Sequence, residues 1–216
     1  MAELDEQRNR LTVKIVFYGP ALSGKTTNLT RLHDLLAPEL IGDMMTLETE
    51  GDRTLFFDLF PFGFTAPSGL LIKMKVFTVP GQVAHDGTRK AVLSRADGVI
   101  FVADSQRNQA ENNAASFDNL ITNIGRVGLD IQTLPLVVQF NKRDLPDILD
   151  ETEIKTRWAA ATWPLFFASA MAGAGVLDTF NTLLGSLYDN IDAKFSLEQN
   201  HGLSRAMYLQ AIKGGS

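Results

Sequence analysis

The 216-residue sequence predicts an α/β fold, a six-stranded, mostly parallel sheet with one antiparallel strand and helices on both faces. Three observations carry this expectation. Strand-like and helix-like patterns alternate along most of the chain. The segments 98–103 (Gly-Val-Ile-Phe-Val-Ala) and 135–140 (Pro-Leu-Val-Val-Gln-Phe) are essentially unbroken apolar runs, as in strands buried on both faces of a parallel sheet. Segment 71–78 alternates instead, with Lys73 and Lys75 on one face, as in a half-exposed strand of an antiparallel hairpin.

The elements follow in order. Residues 11–18 (Leu-Thr-Val-Lys-Ile-Val-Phe-Tyr) are a β-branched run of strand type, and a helical pattern covers 25–36. Residues 38–53 have no periodicity; a loop of that length in a compact domain usually carries function. Strand 54–61 pairs with 71–78 across the connection Phe62–Gly69, and 79–90 is a second functional loop. Helices are expected near 86–95 and over 106–126, 151–161, 175–191 and about 203–212, with a last strand at 165–168. No internal repeat or low-complexity stretch interrupts the pattern.

Composition narrows the chemistry. The content is 45% hydrophobic and 21% charged, as in ordinary globular domains. A net charge of −5 without a Lys/Arg-rich run argues against nucleic acid or an anionic membrane as main partner. The absence of cysteine excludes disulfides, thiolate zinc sites, cysteine nucleophiles and lipid-modified thiols. The polar, acidic N-terminus is unlike a signal peptide, and no apolar stretch approaches the roughly 20 residues of a membrane span. The expectation is cytoplasmic residence without a direct membrane anchor. His33, His85 and His201 have no metal-ligand spacing.

Between the first strand and the first helix runs Gly19-Pro-Ala-Leu-Ser-Gly-Lys-Thr26, the Gly-x4-Gly-Lys-Thr spacing of a phosphate-cradling loop. Backbone N–H groups over Gly19, Ala21, Leu22, Ser23, Gly24 and Thr27 would face phosphate oxygens, with the positive end of the helix behind them. Lys25 would reach the β- and γ-phosphates, and the Thr26 hydroxyl would be a Mg²⁺ ligand. After the 135–140 strand comes Asn141-Lys-Arg-Asp144. A carboxylate at Asp144 would accept from N1–H and N2–H₂ of guanine, donors that adenine lacks on that edge. Asn141 would tie this loop to the phosphate loop or to the purine N7, and the Lys142 stem would cover the base. Ser169 and Ala170, small residues after the last strand, would let a backbone N–H approach the guanine O6. Asp104 fits either a Walker-B carboxylate of an ATPase or, preferably, an N-cap of the following helix.

Together these pieces resemble the Ras-like small GTPases over about 11–192, flanked by a polar extension at 1–10 and a helical one at 193–216. The details look like the bacterial gliding-motility GTPases of the MglA type. They rest on the phosphate loop, Glu50-Gly-Asp-Arg-Thr-Leu-Phe-Phe-Asp58, Thr78-Val-Pro-Gly-Gln82, Val102-Ala-Asp-Ser105 and Asn141-Lys-Arg-Asp-Leu-Pro146. The resemblance implies a GTP/GDP switch with bound Mg²⁺, activated by a roadblock-fold partner of the MglB type, in bacterial polarity or motility. Gly81 would give its N–H to the γ-phosphate, Gln82 would orient the attacking water, and Arg53 would be an intrinsic arginine finger. Thr54 would be the second threonine on Mg²⁺, with Thr46 and Thr49 as competitors. Two positions depart from the Ras-like pattern. Thr78 replaces the usual aspartate, a feature shared with MglA-type proteins. Ala21 replaces a usual glycine, and its methyl would crowd Gln82 and the attacking water. A GTP-binding scaffold without hydrolysis is therefore the rival reading, and a P-loop ATPase the more distant one.

Overall fold

The computed structural model describes residues 2–36, 40, 42–47, 57–81 and 86–212. Its strands are β1 (Glu3–Asp5), β2 (Arg10–Tyr18), β3 (Met45–Leu47), β4 (Phe57–Thr65), β5 (Leu71–Thr78), β6 (Gly98–Asp104), β7 (Leu136–Asn141) and β8 (Leu165–Phe167). The helices are α1 (Lys25–Leu35), α2 (Asp86–Leu93), α3 (Ala110–Arg126, entered by a 3₁₀ turn at Arg107–Gln109), α4 (Glu151–Arg157), α5 (Val176–Phe195), α6 (Leu197–His201) and α7 (Arg205–Ile212).

The sheet order is β3-β4-β5-β2-β6-β7-β8, with β1 beside β2. Strands β5, β2, β6, β7 and β8 run parallel, whereas β4 is antiparallel to β5, β3 to β4, and β1 to β2. The α/β expectation therefore holds, but among the described residues the sheet has eight strands rather than six, and two of them run against the rest. The additions are short. β3 lies inside the loop expected at 38–53, and β1 pairs with the first residues of β2, on the side where β6 pairs farther along. β4 also runs past Pro61, where the sequence seemed to end it. Gly42 N–H donates to Pro61 O (2.9 Å), so that residue's polar edge faces away from β5. The N–H that proline lacks is therefore not missed by the hairpin.

The two-residue period of β2 sorts the core into two layers. Leu11, Val13, Ile15 and Phe17 point to the α1, α5 and α7 side. There α5 presents Val176, Phe180, Leu183, Leu184, Leu187 and Ile191, a buried stripe at helical spacing. Val16 and Tyr18 point the other way, to Val92 and Leu93 of α2, Leu120 and Ile124 of α3 and Ile154 of α4. β6 and β7 are buried along their whole length, as parallel strands covered on both faces must be. No helix among the described residues is long and apolar enough to cross a membrane.

The segment after α5 joins the first layer. Tyr208 of α7 is fully buried, 5.7 Å from the Phe64 ring and 5.3 Å from Tyr188. Tyr188 Oη donates to Leu203 O (2.7 Å), and Ser68 at the β4–β5 turn meets His201 Nδ1 at 2.9 Å. Tyr208→Ala should cost about 3–5 kcal/mol, the usual price of an aromatic removed from a core. Tyr208→Phe should keep full stability, because the hydroxyl has no hydrogen-bond partner among the described residues. Urea denaturation midpoints check both; an unchanged midpoint for Tyr208→Ala would show that α7 is not docked.

Candidate functional site

The chemistry collects where the parallel strands end. The carboxyl ends of β2, β5, β6, β7 and β8 lead into 19–24, 79–81, 105–106, 141–144 and 168–171, the edge at which open α/β sheets bind ligands. Between β2 and α1 the loop turns through Leu22 (φ 61°) and Gly24 (φ 95°). Gly24 is required here: a Cβ would collide with the Asn141 side-chain amide. Gly24 is also the N-cap of α1 and supplies no side-chain acceptor, so the first amides of the helix keep their donor character toward a ligand.

Lys25 is buried at the start of α1, with its ammonium donating to Gly19 O (3.1 Å) and Pro20 O (2.6 Å). Burial pushes its pKa down to about 7, and the nearby charge of Arg89 adds to the effect. Among the described residues it makes no ion pair, so an incoming phosphate would supply the missing countercharge. Thr26 Oγ1 donates to Asp58 Oδ2 (2.7 Å). Asp58 Oδ2 also accepts from Thr78 Oγ1 (3.1 Å), which in turn accepts from Asp58 N–H (2.9 Å). The carboxylate that Thr78 lacks is thus provided across the hairpin by Asp58, held against the predicted metal ligand Thr26. Sequence reasoning missed this role. The only signal was a lone carboxylate inside an aromatic strand, and its meaning depends on pairing between β4 and β5.

On the base side, Asn141 does what the spacing suggested and more. Its Nδ2 donates to Ser23 O of the phosphate loop (2.9 Å), and its Oδ1 accepts from Ala170 N–H (2.9 Å). One buried amide therefore joins three loops. Asp144 Oδ1 accepts from Ser169 Oγ (2.6 Å), which places the two predicted base contacts side by side. Lys142, in the left-handed region (φ 67°), donates to Asp104 Oδ2 (2.7 Å). Asp104 Oδ1 accepts from Gln106 N–H (3.0 Å), and α3 starts only at Ala110, so Asp104 holds Lys142 rather than capping a helix. The half-buried Arg31 side chain supports this edge by donating to Ala170 O and Met171 O.

The second loop meets the phosphate loop directly. A Cβ on Gly81 would run into the backbone and the methyl of Ala21, so Gly81 lies close against the position that departs from glycine. The carbonyls of Pro80 and Gly81 both accept from Arg89 of α2, a side chain without any sequence signal. Gln82, Arg53, Thr54 and Thr49 lie outside the described residues, as does His85. Thr46 is in β3, in register with Asp58 of β4. No cluster of three or more His, Asp or Glu suited to a metal occurs among the described residues.

Loops of this kind, gathered at the strand ends of such a sheet, define a P-loop nucleotide-binding protein of the small-GTPase class. Residues 68–187 match the model of the ADP-ribosylation factor family. The chain is 40% identical over 183 residues to the mutual gliding-motility protein MglA of Myxococcus xanthus (strain DK1622), covering 85% of this chain and 94% of that protein. The chain belongs to the Ras-like small GTPases of the MglA type, and it is a GTP-binding protein.

The amide of Asn141 gives a direct test of the loop assembly. Asn141→Ala should leave Ser23 O and the Ala170 N–H without their partner, at about 1–3 kcal/mol for each buried group. Thermal unfolding should shift down accordingly, and nucleotide retention through gel filtration should fall. A wild-type melting temperature in the nucleotide-free variant would show that the loops are held by other means.

Proposed function

We propose that the protein is a GTP/GDP switch that hydrolyses GTP to GDP and phosphate, slowly alone and faster with a roadblock-type activating partner. The observation that supports this reading is the close approach of Gly81 to the phosphate loop at Ala21, where the second loop would meet a γ-phosphate. In this reading Gly19, Ala21, Leu22, Ser23, Gly24 and Thr27 line the phosphates through their backbone, and Lys25 neutralises the β- and γ-phosphates. Asp144 chooses guanine, Ser169 and Ala170 border its O6, and Lys142 covers the ring. Ser169 Oγ on Asp144 would have to share that carboxylate with the base.

The residues present suit Mg²⁺, which takes oxygen ligands and keeps several waters. Thr26 and Thr54 would hold the ion directly, and Asp58 would hold Thr26 and the metal's waters through its carboxylate. When bound, Mg²⁺ would offset the charge of the phosphates. Gln82 would orient the attacking water, and Arg53 would face the transferring phosphoryl group. The likeness to MglA supports a role in bacterial polarity or motility, with a roadblock-fold partner docking on loops 38–54 and 79–90. Recruitment to a pole or membrane would go through such partners, from the cytoplasm.

A second reading, a GTP-bound scaffold without turnover, is favoured by Ala21 itself. Its methyl occupies space next to Gly81, where Gln82 and water must fit, and a misplacement of ~1 Å can cost about 100-fold in rate. Multiple-turnover phosphate release, with and without a roadblock partner, separates the two readings. Ala21→Gly should raise the activated rate while GTP affinity changes only slightly. Equal rates in both proteins would mean that the loop already accommodates the methyl.

Base choice is tested separately. The wild-type protein should bind GTP and GDP in strong preference to ATP, since a carboxylate deprived of both donors costs about 1–3 kcal/mol per lost bond. Asp144→Asn should shift preference to xanthine nucleotides, whose 2-oxo group accepts from the new amide. Equal competition by ATP and GTP against a labelled guanine nucleotide would remove the assignment.

A further inference from the structure

Arg89 is the bulkiest of the fully buried side chains, and it sits in α2, directly after the second loop. Among the described residues it forms no ion pair with a carboxylate. Among those residues its fork donates to neutral oxygens. Nε donates to Pro80 O (2.9 Å), Nη2 to Gly81 O, and Nη1 to Asn119 Oδ1 (2.7 Å) and Tyr18 Oη (3.4 Å). The guanidinium also lies 5.1 Å from the centre of the Tyr18 ring.

These partners are themselves fixed. Tyr18 Oη donates to Asn119 Oδ1, and Asn123 Nδ2 of α3 donates to Tyr18 Oη (3.2 Å). Asn119 and Asn123 both donate to Asp86 Oδ1, at 3.2 and 2.7 Å, and Arg126 reaches Asp86 Oδ2 (3.3 Å). A continuous polar network therefore runs from the surface of α3, through the last residue of β2, to two consecutive carbonyls of the second loop.

The geometry of a peptide unit gives this network a consequence. Pro80 C=O and Gly81 N–H belong to one planar trans peptide and point in opposite directions. A bond that fixes Pro80 O fixes the direction of the Gly81 N–H as well, and the bond to Gly81 O fixes the next peptide, the one that leads into Gln82. We infer that Arg89 is a positioning residue that sets the Gly81 amide for the γ-phosphate, braced by Tyr18, Asn119 and Asn123. The inference rests on the switch reading given above. It assigns Arg89 no contact with nucleotide: the residue acts through the backbone it holds, and a single-donor cation in its place would keep the charge but lose the fork.

The test compares dissociation constants of the full-length protein for GTPγS and for GDP. In Arg89→Lys, GDP affinity should stay within about twofold of the wild type. GTPγS affinity should fall about tenfold or more, as for the loss of a hydrogen bond to a charged acceptor. An unchanged GTPγS:GDP ratio, or an equal loss for both nucleotides, would overturn the inference, the latter because a merely structural residue behaves that way. Should Arg89→Lys not fold, Tyr18→Phe decides, since it removes one brace and keeps the ring. Its ratio should fall in the same direction by a smaller factor, and a wild-type ratio there would overturn the inference. A wild-type protein that binds neither nucleotide would instead sink the switch reading itself.

Discussion

Two cations buried behind two adjoining loops constrain everything else at this end of the molecule. Lys25 and Arg89 are both buried, and among the described residues both are satisfied by carbonyl, amide or phenol oxygens rather than by paired carboxylates. Burying charge without a counterion costs free energy unless an anion arrives. The fold concentrates that cost at the carboxyl ends of β2 and β5, where the glycine-containing loop and the uncapped start of α1 already favour negative charge. An apolar or cationic ligand would find no compensation there. A polyphosphate relieves the strain of Lys25 directly, and this is the physical content of calling the site a phosphate site.

The rest of the architecture can be understood as holding this arrangement open. Asn141 spans the phosphate and base loops, which excludes any side chain at Gly24. β4 lies two places from β2 in the sheet order, yet Asp58 meets Thr26 of α1, because β4 pairs antiparallel with β5 and brings Asp58 opposite the end of that strand at Thr78. The Thr78 substitution thus moves the carboxylate from the loop strand to its hairpin partner. A carboxylate acceptor is kept beside Thr26, oriented by the hydroxyls of Thr26 and Thr78, the latter fixed by the Asp58 N–H.

Sequence made the parallel core legible because its signals are local. The unbroken apolar runs of β6 and β7, the Gly-Lys-Thr turn and the Asn-Lys-x-Asp loop each carry their meaning within a few residues. What escaped depends on register or on distant packing. β1 and β3 are three-residue strands, too short for a period, and exist only because β2 and β4 offer an edge. α6 is a single turn or so, held by the buried Leu197 and a left-handed Ser196 rather than by an amphipathic stripe. Arg89 looks like any helical arginine, since nothing in its neighbours announces that two carbonyls and the side chains of Tyr18 and Asn119 converge on it. The meaning of Asp58 likewise depends on the register between β4 and β5.

Gly81 is where the switch reading meets its energetic limit. It is pressed by Ala21 on one side and held through its own carbonyl by Arg89 on the other, so its amide has little freedom to search for a phosphate. A hydrogen bond to a charged acceptor contributes about 1.5–3 kcal/mol. Turning a two-state equilibrium from 1:99 to 99:1 takes about 5.5 kcal/mol of differential binding. The Gly81 bond alone therefore cannot carry a complete switch, however well it is aimed. In the proposed switch the remainder would come from the other loop, 38–54, through Thr54 and Mg²⁺. On that proposal the two loops would be interdependent: weakening either contact would leave a protein that still binds GTP but no longer changes state fully when it does.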